Sequence, residues 1–249
     1  MSSTWRLIPL MQASGKLHMA IDAWLLEQHR QGLHPPTLRF YIWDPPAISL
    51  GYHQRHGFRQ WESLLWNGKP IDLVRRPSGG RAVLHQGDLT YAVITSDLPA
   101  NRMQAYQQIC EFLIQGWRSL GVELHYGQAG RGYIHNPNCF GTATGADLVT
   151  IDGAKLIGSA QLRRGTAVLQ HGSLQLEPDA ALFQQVFGVA PVLPTLPHSL
   201  QGAERIKTVM DALIESAGHC FNTDFQIRSL SEAECATIQN WSKDHKLLW

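Results

Sequence analysis

The spacing of apolar positions along the chain changes several times, and each change predicts a different element. Residues 5–10 predict a strand, and after Gly15 the recurrence of Leu17, Ile21, Trp24 and Leu25 predicts a helix with one apolar face. Residues 38–43 predict a second strand, closed by Asp44-Pro45-Pro46. Short apolar runs at 48–50 and 71–74 predict further strands, as do 82–84 and 89–94 around a Gly-containing turn. The clearest helix spans 102–120, where Met103, Tyr106, Ile109, Cys110, Leu113, Trp117 and Leu120 recur three and four residues apart and Gly121 ends the pattern. Cys110 therefore falls on its buried stripe. Residues 122–126 predict a strand, followed by a polar loop over 127–146, a length more often functional than filler. Residues 148–151 and 155–161 predict a hairpin around Asp152-Gly153, a pair suited to the positive φ angles of a type I′ turn. Residues 167–169 and 173–176 extend that meander. Helices are predicted at 179–187 and 204–217, with a Pro-rich surface connection at 190–197. Ser231 and Glu234 have the spacing of a capping box and predict a final helix. Hairpins interrupted by helices, without regular βαβ repeats, predict an α+β fold with a mixed or antiparallel sheet. With no repeats, the 249 residues are expected to form a single domain with a small helical C-terminal portion at about 200–249.

Composition narrows this picture only modestly. At 44% hydrophobic and 16% charged residues the chain is ordinary for a globular protein, which excludes disorder. A net charge of +1 excludes a strong overall draw for nucleic acid, so charged partners must be met by local Arg and Lys clusters. No signal peptide and no apolar run long enough to span a membrane is visible, so a cytoplasmic location is expected. Cys110, Cys139, Cys220 and Cys235 form no CxxC pair, and free thiols are expected rather than disulfides or a zinc site.

Three segments can carry chemistry. In Arg75-Arg76-Pro77-Ser78-Gly79-Gly80-Arg81-Ala82-Val83, paired glycines between strands let backbone N–H groups approach an anion or carbonyl oxygen, and the flanking arginines suit a phosphate or carboxylate. Read alone it is more simply an ordinary glycine turn with solvated arginines, and it fits neither a Walker loop nor a dinucleotide fingerprint. In Asp152-Gly153-Ala154-Lys155-Leu156-Ile157-Gly158-Ser159-Ala160-Gln161, a lysine follows a tight turn on a strand of small and apolar residues with little room to reach solvent. In Asn138-Cys139-Phe140, a lone cysteine sits within the long loop, where by itself it reads as a small buried hydrophobe.

Together these segments resemble the biotin/lipoate protein ligase superfamily. Arg75–Val83 is similar to its Arg-Arg-x-Ser/Thr-Gly-Gly-x-Ala-Val segment. Gly153–Gln161, followed by Leu169-Gln170-His171-Gly172-Ser173-Leu174, is similar to its Gly-x-Lys-x-x-Gly-Ser-Ala-Gln and His-Gly-Ser/Thr-Leu segments, in the same order. The resemblance covers residues from about 5 to 230. Within the superfamily, the ATP-dependent ligases usually carry a further C-terminal domain, for which little room is expected here. The LipM-like octanoyltransferases have a cysteine shortly before the hairpin lysine, where Cys139 falls. At Gln86-Gly87-Asp88 the chain departs from the pattern, because an Asp often directly follows the histidine equivalent to His85. That leaves the roles of His85 and Asp88 open.

The resemblance implies a protein octanoyltransferase with Cys139 and Lys155 as catalytic residues. It implies substrate binding by Arg75, Arg76, Ser78, Gly79, Gly80, Arg81, Ala82, His85, Gly158, Ser159, Ala160, His171 and Gly172, with no metal and no cofactor. The implied donor is octanoyl–acyl carrier protein. The implied acceptors are lipoyl-domain proteins, such as the glycine cleavage H protein or the acyltransferase subunit of 2-oxo acid dehydrogenases. Such partners tend to be acidic, which makes Arg131, Arg163 and Arg164 candidate docking residues, with solvated surface arginines as the competing reading. Burying about six methylenes at ~0.8 kcal/mol each would favour a medium acyl chain by roughly 5 kcal/mol, with walls expected near Tyr91, Val83 and Leu156. Two alternatives stay open: an ATP-dependent lipoate or biotin ligase, and a non-catalytic lipoyl- or biotinyl-binding module.

Overall fold

The computed structural model describes residues 3–55, 58–127 and 145–244. Its elements run β1 (Ser3–Ala13), α1 (Gly15–Arg30), β2 (Thr37–Trp43), β3 (Ala47–Leu50), β4 (Leu65–Trp66), β5 (Lys69–Pro70), β6 (Asp72–Arg75), β7 (Val83–His85) and β8 (Asp88–Thr95). They continue as α2 (Arg102–Ser119), β9 (Leu124–Tyr126), β10 (Asp147–Thr150), β11 (Lys155–Arg164), β12 (Ala167–Gln175), α3 (Ala180–Phe187), α4 (Arg205–Cys220), β13 (Thr223–Ile227) and α5 (Glu232–Asp244).

The main sheet has the strand order β13-β1-β2-β8-β12-β11-β10-β9. β1 lies parallel to both β13 and β2, and every other neighbour in this sheet is antiparallel. The sheet is therefore mixed, as the alternation of strands and helices predicts. Pro9 cannot donate to a ladder. It falls where the β1–β2 register shifts, between Ile8 and Met11, and beyond the residues that pair with β13.

Both faces of the central strands are covered, and the period-two alternation divides their side chains cleanly. Leu38 and Phe40 of β2, and Leu89, Tyr91 and Val93 of β8, pack under α2 and α4. Tyr41, Trp43, Ala92 and Ile94 face the opposite way, against α1. α2 and α4 approach closely at Gly116, where an added Cβ would lie 2.7 Å from Leu213 Cδ2. A small sheet, β6-β3-β7, carries a separate apolar cluster with Trp61 and α3. No helix among the described residues is long and apolar enough to cross a membrane.

Two features differ from the sequence-based expectations. Of the Asp152-Gly153 pair only Gly153 has a positive φ, +82°, and Gly153 N–H donates to Thr150 O at 2.9 Å. The hairpin thus closes through a four-residue connection with a register shift, instead of a type I′ turn. The stretch from about 200 is also not purely helical, since β13 returns to the edge of the main sheet. Its residues alternate weakly and are mostly exposed, so no apolar run marks it.

The C-terminal segment is tied back by Arg6, 2% exposed, which donates to both Glu234 oxygens at 2.6 and 3.0 Å and to the carbonyls of Arg228 and Ser229. Glu234 also closes the expected capping box, accepting from Ser231 N while its own N–H donates to Ser231 Oγ. Removing one partner of a buried ion pair strands the other. Glu234→Ala should therefore lower unfolding stability by roughly 3 kcal/mol in urea denaturation; a loss indistinguishable from zero would show that Arg6 does not depend on this carboxylate.

Candidate active site

α1 is buried along most of its length, yet its sequence places His18 and Asp22 one turn apart on the face toward the sheet. Asp22 is fully buried and needs partners for both oxygens. Arg39 donates to Oδ1 at 2.8 Å, while the Tyr41 hydroxyl and His171 Nδ1–H donate to Oδ2 at 2.9 and 2.8 Å. Burial alone would raise the Asp22 carboxyl, but Arg39 and the bond from His171 outweigh it and hold the group below its usual range.

The chain of contacts continues outward. His171 Nε2 lies 2.5 Å from Ser78 Oγ, in the glycine segment between β6 and β7. With Nδ1 committed to Asp22, the other ring nitrogen is left to meet the Ser78 hydroxyl. The segment is thus pinned to the floor of the molecule through Ser78, His171 and Asp22.

A second chain of the same chemistry lies beside it. Arg76 donates to Ser49 O at 2.6 Å and Ser49 Oγ at 2.7 Å, and Ser49 Oγ in turn lies 2.7 Å from His85 Nε2. His85 Nδ1 reaches Asp88 at 2.8 Å, and Asp88 also accepts from Thr90 and Ser173. Burial lowers the pKa of His85 more than Asp88 raises it, and Trp43 stacks on the ring at 3.8 Å. A neutral ring can donate to the carboxylate and accept from the serine at once. Asp88 reaches its histidine from three residues on, across the Gln86-Gly87 turn, so the departure from the family pattern preserves a His–Asp contact.

Arg76 also donates to Gly79 O and Arg81 O, at 3.1 and 2.8 Å, and Arg75 donates to the carbonyls of Gly51 and Gln54. These donors brace backbone carbonyls, where an anion-holding role was expected for both arginines. Gly80 has φ +96°, which favours glycine, and lies so close to β3 that a Cβ on Gly51 would stand 1.9 Å from Gly80 O. A Cβ on Gly79 would meet nothing within 4 Å, so that residue faces open space.

Beneath the segment is a partly open pocket of about 390 Å³, solvent at its mouth included, walled by Met19, Tyr41, Trp43 and Val83 and floored by β11 and β12. Gly80, His85, Gly158, Ser159, Ala160, His171 and Gly172 all border it. Gly172 must lack a side chain, because a Cβ would lie 2.7 Å from Gly158 O, Ser159 Oγ and Tyr91 Cε1. With Arg76, which also borders it, eight of the expected site residues therefore meet at one cavity. Ala82 does not, packing into the small-sheet cluster. Of the expected acyl walls Val83 is present, whereas Tyr91 and Leu156 belong to the packed core under α2.

Lys155 begins β11, is 5% exposed, and its Nζ lies 2.9 Å from Asp147 Oδ1. Asp147 lines a neighbouring pocket with Gly79, Gly80, Ser159 and Tyr106, so the lysine's ion-pair partner, rather than the lysine itself, faces the opening beside the glycine segment. Cys139 and Arg131 lie outside the described residues. Cys110, on the buried face of α2, is pushed up to about 12 by that burial, which leaves its thiol un-ionised. Sequence reasoning missed His18, Asp22, Arg39, Ser49, Gly51 and Asp147. The legible signal was Asp22 itself, a lone carboxylate inside the apolar run from Met19 to Leu26.

Residues 14–216 match the sequence profile of the family described as the lipoyl protein ligase A/B catalytic domain. The octanoyltransferase LipM of Kyrpidia tusciae is 40% identical over 190 residues, covering 71% of this chain and 68% of the relative. The octanoyltransferase LipM of Bacillus cereus is 34% identical over 244 residues, covering 92% and 83%. Among solved structures, a putative lipoate protein ligase from T. acidophilum with bound lipoic acid superposes with a TM-score of 0.74 at 23% identity, covering 99% of this chain and 95% of that one.

The buried imidazoles carry an acid liability. Arg39 donates to His18 Nδ1 and His18 Nε2 meets Ile42 O, a pairing that protonation of Nδ1 would break. Burial, then Arg39, lowers His18 from 6.5 to about 3, and burial lowers His85 as well. A histidine depressed in the folded state contributes stability above its unfolded value, lost as pH falls toward the folded one. The urea midpoint should accordingly drop as pH falls from 6.5 toward about 3, and should drop less steeply in His18→Gln; identical profiles for the two proteins would remove His18 as a cause.

Proposed function

The chain belongs to the lipoyl protein ligase A/B catalytic-domain family, and from that premise we propose that it is a protein octanoyltransferase working through a Cys139 thioester. It is an acyltransferase of lipoate biosynthesis, with an octanoyl donor and a lipoyl-domain acceptor. The finer reading takes octanoyl–acyl carrier protein as donor. As acceptor it takes a lysine of a lipoyl-domain protein, such as the glycine cleavage H protein or a 2-oxo acid dehydrogenase acyltransferase subunit. The observation that carries it is the largely apolar cavity bordered by all three of the family's motif segments, the braced glycine segment among them.

In this reading the acyl chain lies in the cavity between α1 and the sheet, and its carbonyl meets the Gly79-Gly80 backbone. The Cys139 thiolate attacks the donor thioester, forming a new C–S bond while the donor thiolate leaves and takes up a proton. The acceptor lysine, as free amine, then attacks the acyl-enzyme. An amide forms, the Cys139 thiolate departs and the amine loses its proton. No nucleotide is needed, since a thioester is already activated. Glycine N–H groups stabilise the tetrahedral oxyanion, worth about 3 kcal/mol per donor in comparable sites. A free thiol titrates at about 8.5, so a neighbouring ammonium favours its ionised form, the role assigned to Lys155 with Asp147 orienting it.

Mixed with octanoyl–acyl carrier protein alone, the wild type should gain one octanoyl mass sensitive to hydroxylamine. Cys139→Ala should gain none and lose transfer, while Cys110→Ser keeps both. Lys155→Ala should slow acylation, with partial recovery as pH rises and the thiol ionises unaided. Gly80→Val should abolish transfer, because a branched residue is strained at φ +96° and intrudes on the carbonyl site. Near wild-type modification by Cys139→Ala, or modification that needs octanoate with ATP, would return the lead to a ligase mechanism.

A further inference from the structure

On the outer side of the glycine segment lies a second, more open recess of about 1290 Å³. Gly79 and Gly80 form its inner end, and Arg102, Arg163 and Arg164 line it beyond, with His53. Among the described residues no carboxylate lines it. Its arginines come from separate elements, the first turn of α2 and the end of β11. Arg163 is steadied by donating to Pro99 O at 2.8 Å, and the Arg102 guanidinium sits over the Tyr106 ring at 5.9 Å. Each guanidinium carries five N–H donors, so these contacts leave donors that can meet an anion.

We propose that this recess binds the phosphodiester at the outer end of the acyl donor's pantetheine arm. The proposal rests on the thioester-donor reading above and names the part of the donor that the protein recognises. A concave, arginine-lined recess suits a small doubly coordinated anion better than the flat face of an acidic protein. Distance separates this anion from an adenylate. Ser159 borders the apolar cavity, and Arg163 lies four residues farther along β11, about 13 Å at ~3.3 Å per residue. An acyl-adenylate phosphorus sits one oxygen from the acyl carbon and stays beside the carbonyl. The phosphodiester of a pantetheine thioester is held away by the whole arm. The recess and the cavity share Gly80 in their walls, beside the place where the thioester would lie. An arm with its phosphate in the recess would pass Gly80 to bring its carbonyl to the cavity.

The test compares acyl carrier protein bearing its unacylated phosphopantetheine arm with the same protein lacking the arm. Binding is measured to the wild type and to the triple substitution Arg102→Gln, Arg163→Gln, Arg164→Gln. The wild type should bind the arm-bearing form at least about tenfold more tightly, and the triple substitution should erase that preference, about 1.4 kcal/mol by the tenfold conversion. In turnover, the ratio of kcat/KM for octanoyl–acyl carrier protein over octanoyl-pantetheine, which lacks the phosphate, should fall by a similar factor. No arm preference in the wild type, or one that survives the substitutions, overturns the proposal. So does weakened ATP binding in the triple substitution with the arm preference intact, which would make the recess a nucleotide site. Binding is read without turnover, so a protein that transfers from no thioester would sink the octanoyltransferase reading while the recess is still judged on its own.

Discussion

A carboxylate with no exposure to water organises this molecule. Asp22 stands in the middle of an apolar helix, and an unpaired charge there would cost several kcal/mol, a large share of the stability of a typical domain. It is tolerated because Arg39 and Tyr41 from β2 and His171 from β12 all donate to it. Those donors fix the position of α1 over the sheet, and His171 carries the constraint on to Ser78 and so to the glycine segment. Helix, sheet and loop are held in one arrangement by the need to satisfy two oxygens.

The glycine segment needs such anchoring because its residues are poorly suited to hold a shape themselves. Glycine loses the most conformational freedom on ordering, so a Gly79-Gly80 backbone must be constrained from outside. Two imidazoles do this, each meeting a carboxylate at Nδ1 and a serine at Nε2. Ser78 belongs to the segment directly, while Ser49 acts through Arg76, which grips the carbonyls of Gly79 and Arg81. A preorganised backbone is what a developing oxyanion requires, since donors already in place need no reorganisation during reaction.

Around that segment the surroundings divide by polarity. Inside is a cavity with apolar walls from α1, β2 and β7; outside is an open recess lined with arginines. Asp147, which the Lys155 ammonium meets at 2.9 Å, borders the third opening. An acyl group and its charged carrier differ in the same way, and the segment stands at the boundary where the two are joined.

The sequence by itself determined the element types, the mixed α+β class and the motif segments, because each depends on local spacing. The helical recurrence from Met103 to Leu120 and the Ser231–Glu234 cap are legible from a few neighbouring residues. So is the buried stripe that holds Cys110. The weakly alternating β13 was not, since an exposed edge strand is specified by its partner β1 more than by its own residues. Tertiary structure alone decided which distant residues meet: Asp22 with His171, Ser49 with His85, Asp147 with Lys155. It also gave Arg75 and Arg76 to backbone carbonyls and placed Arg163 and Arg164 beside Arg102. Hydrogen bonds and ion pairs between remote positions leave no periodic trace in a single sequence, because a polar residue reads the same whether its partner is water or a buried carboxylate.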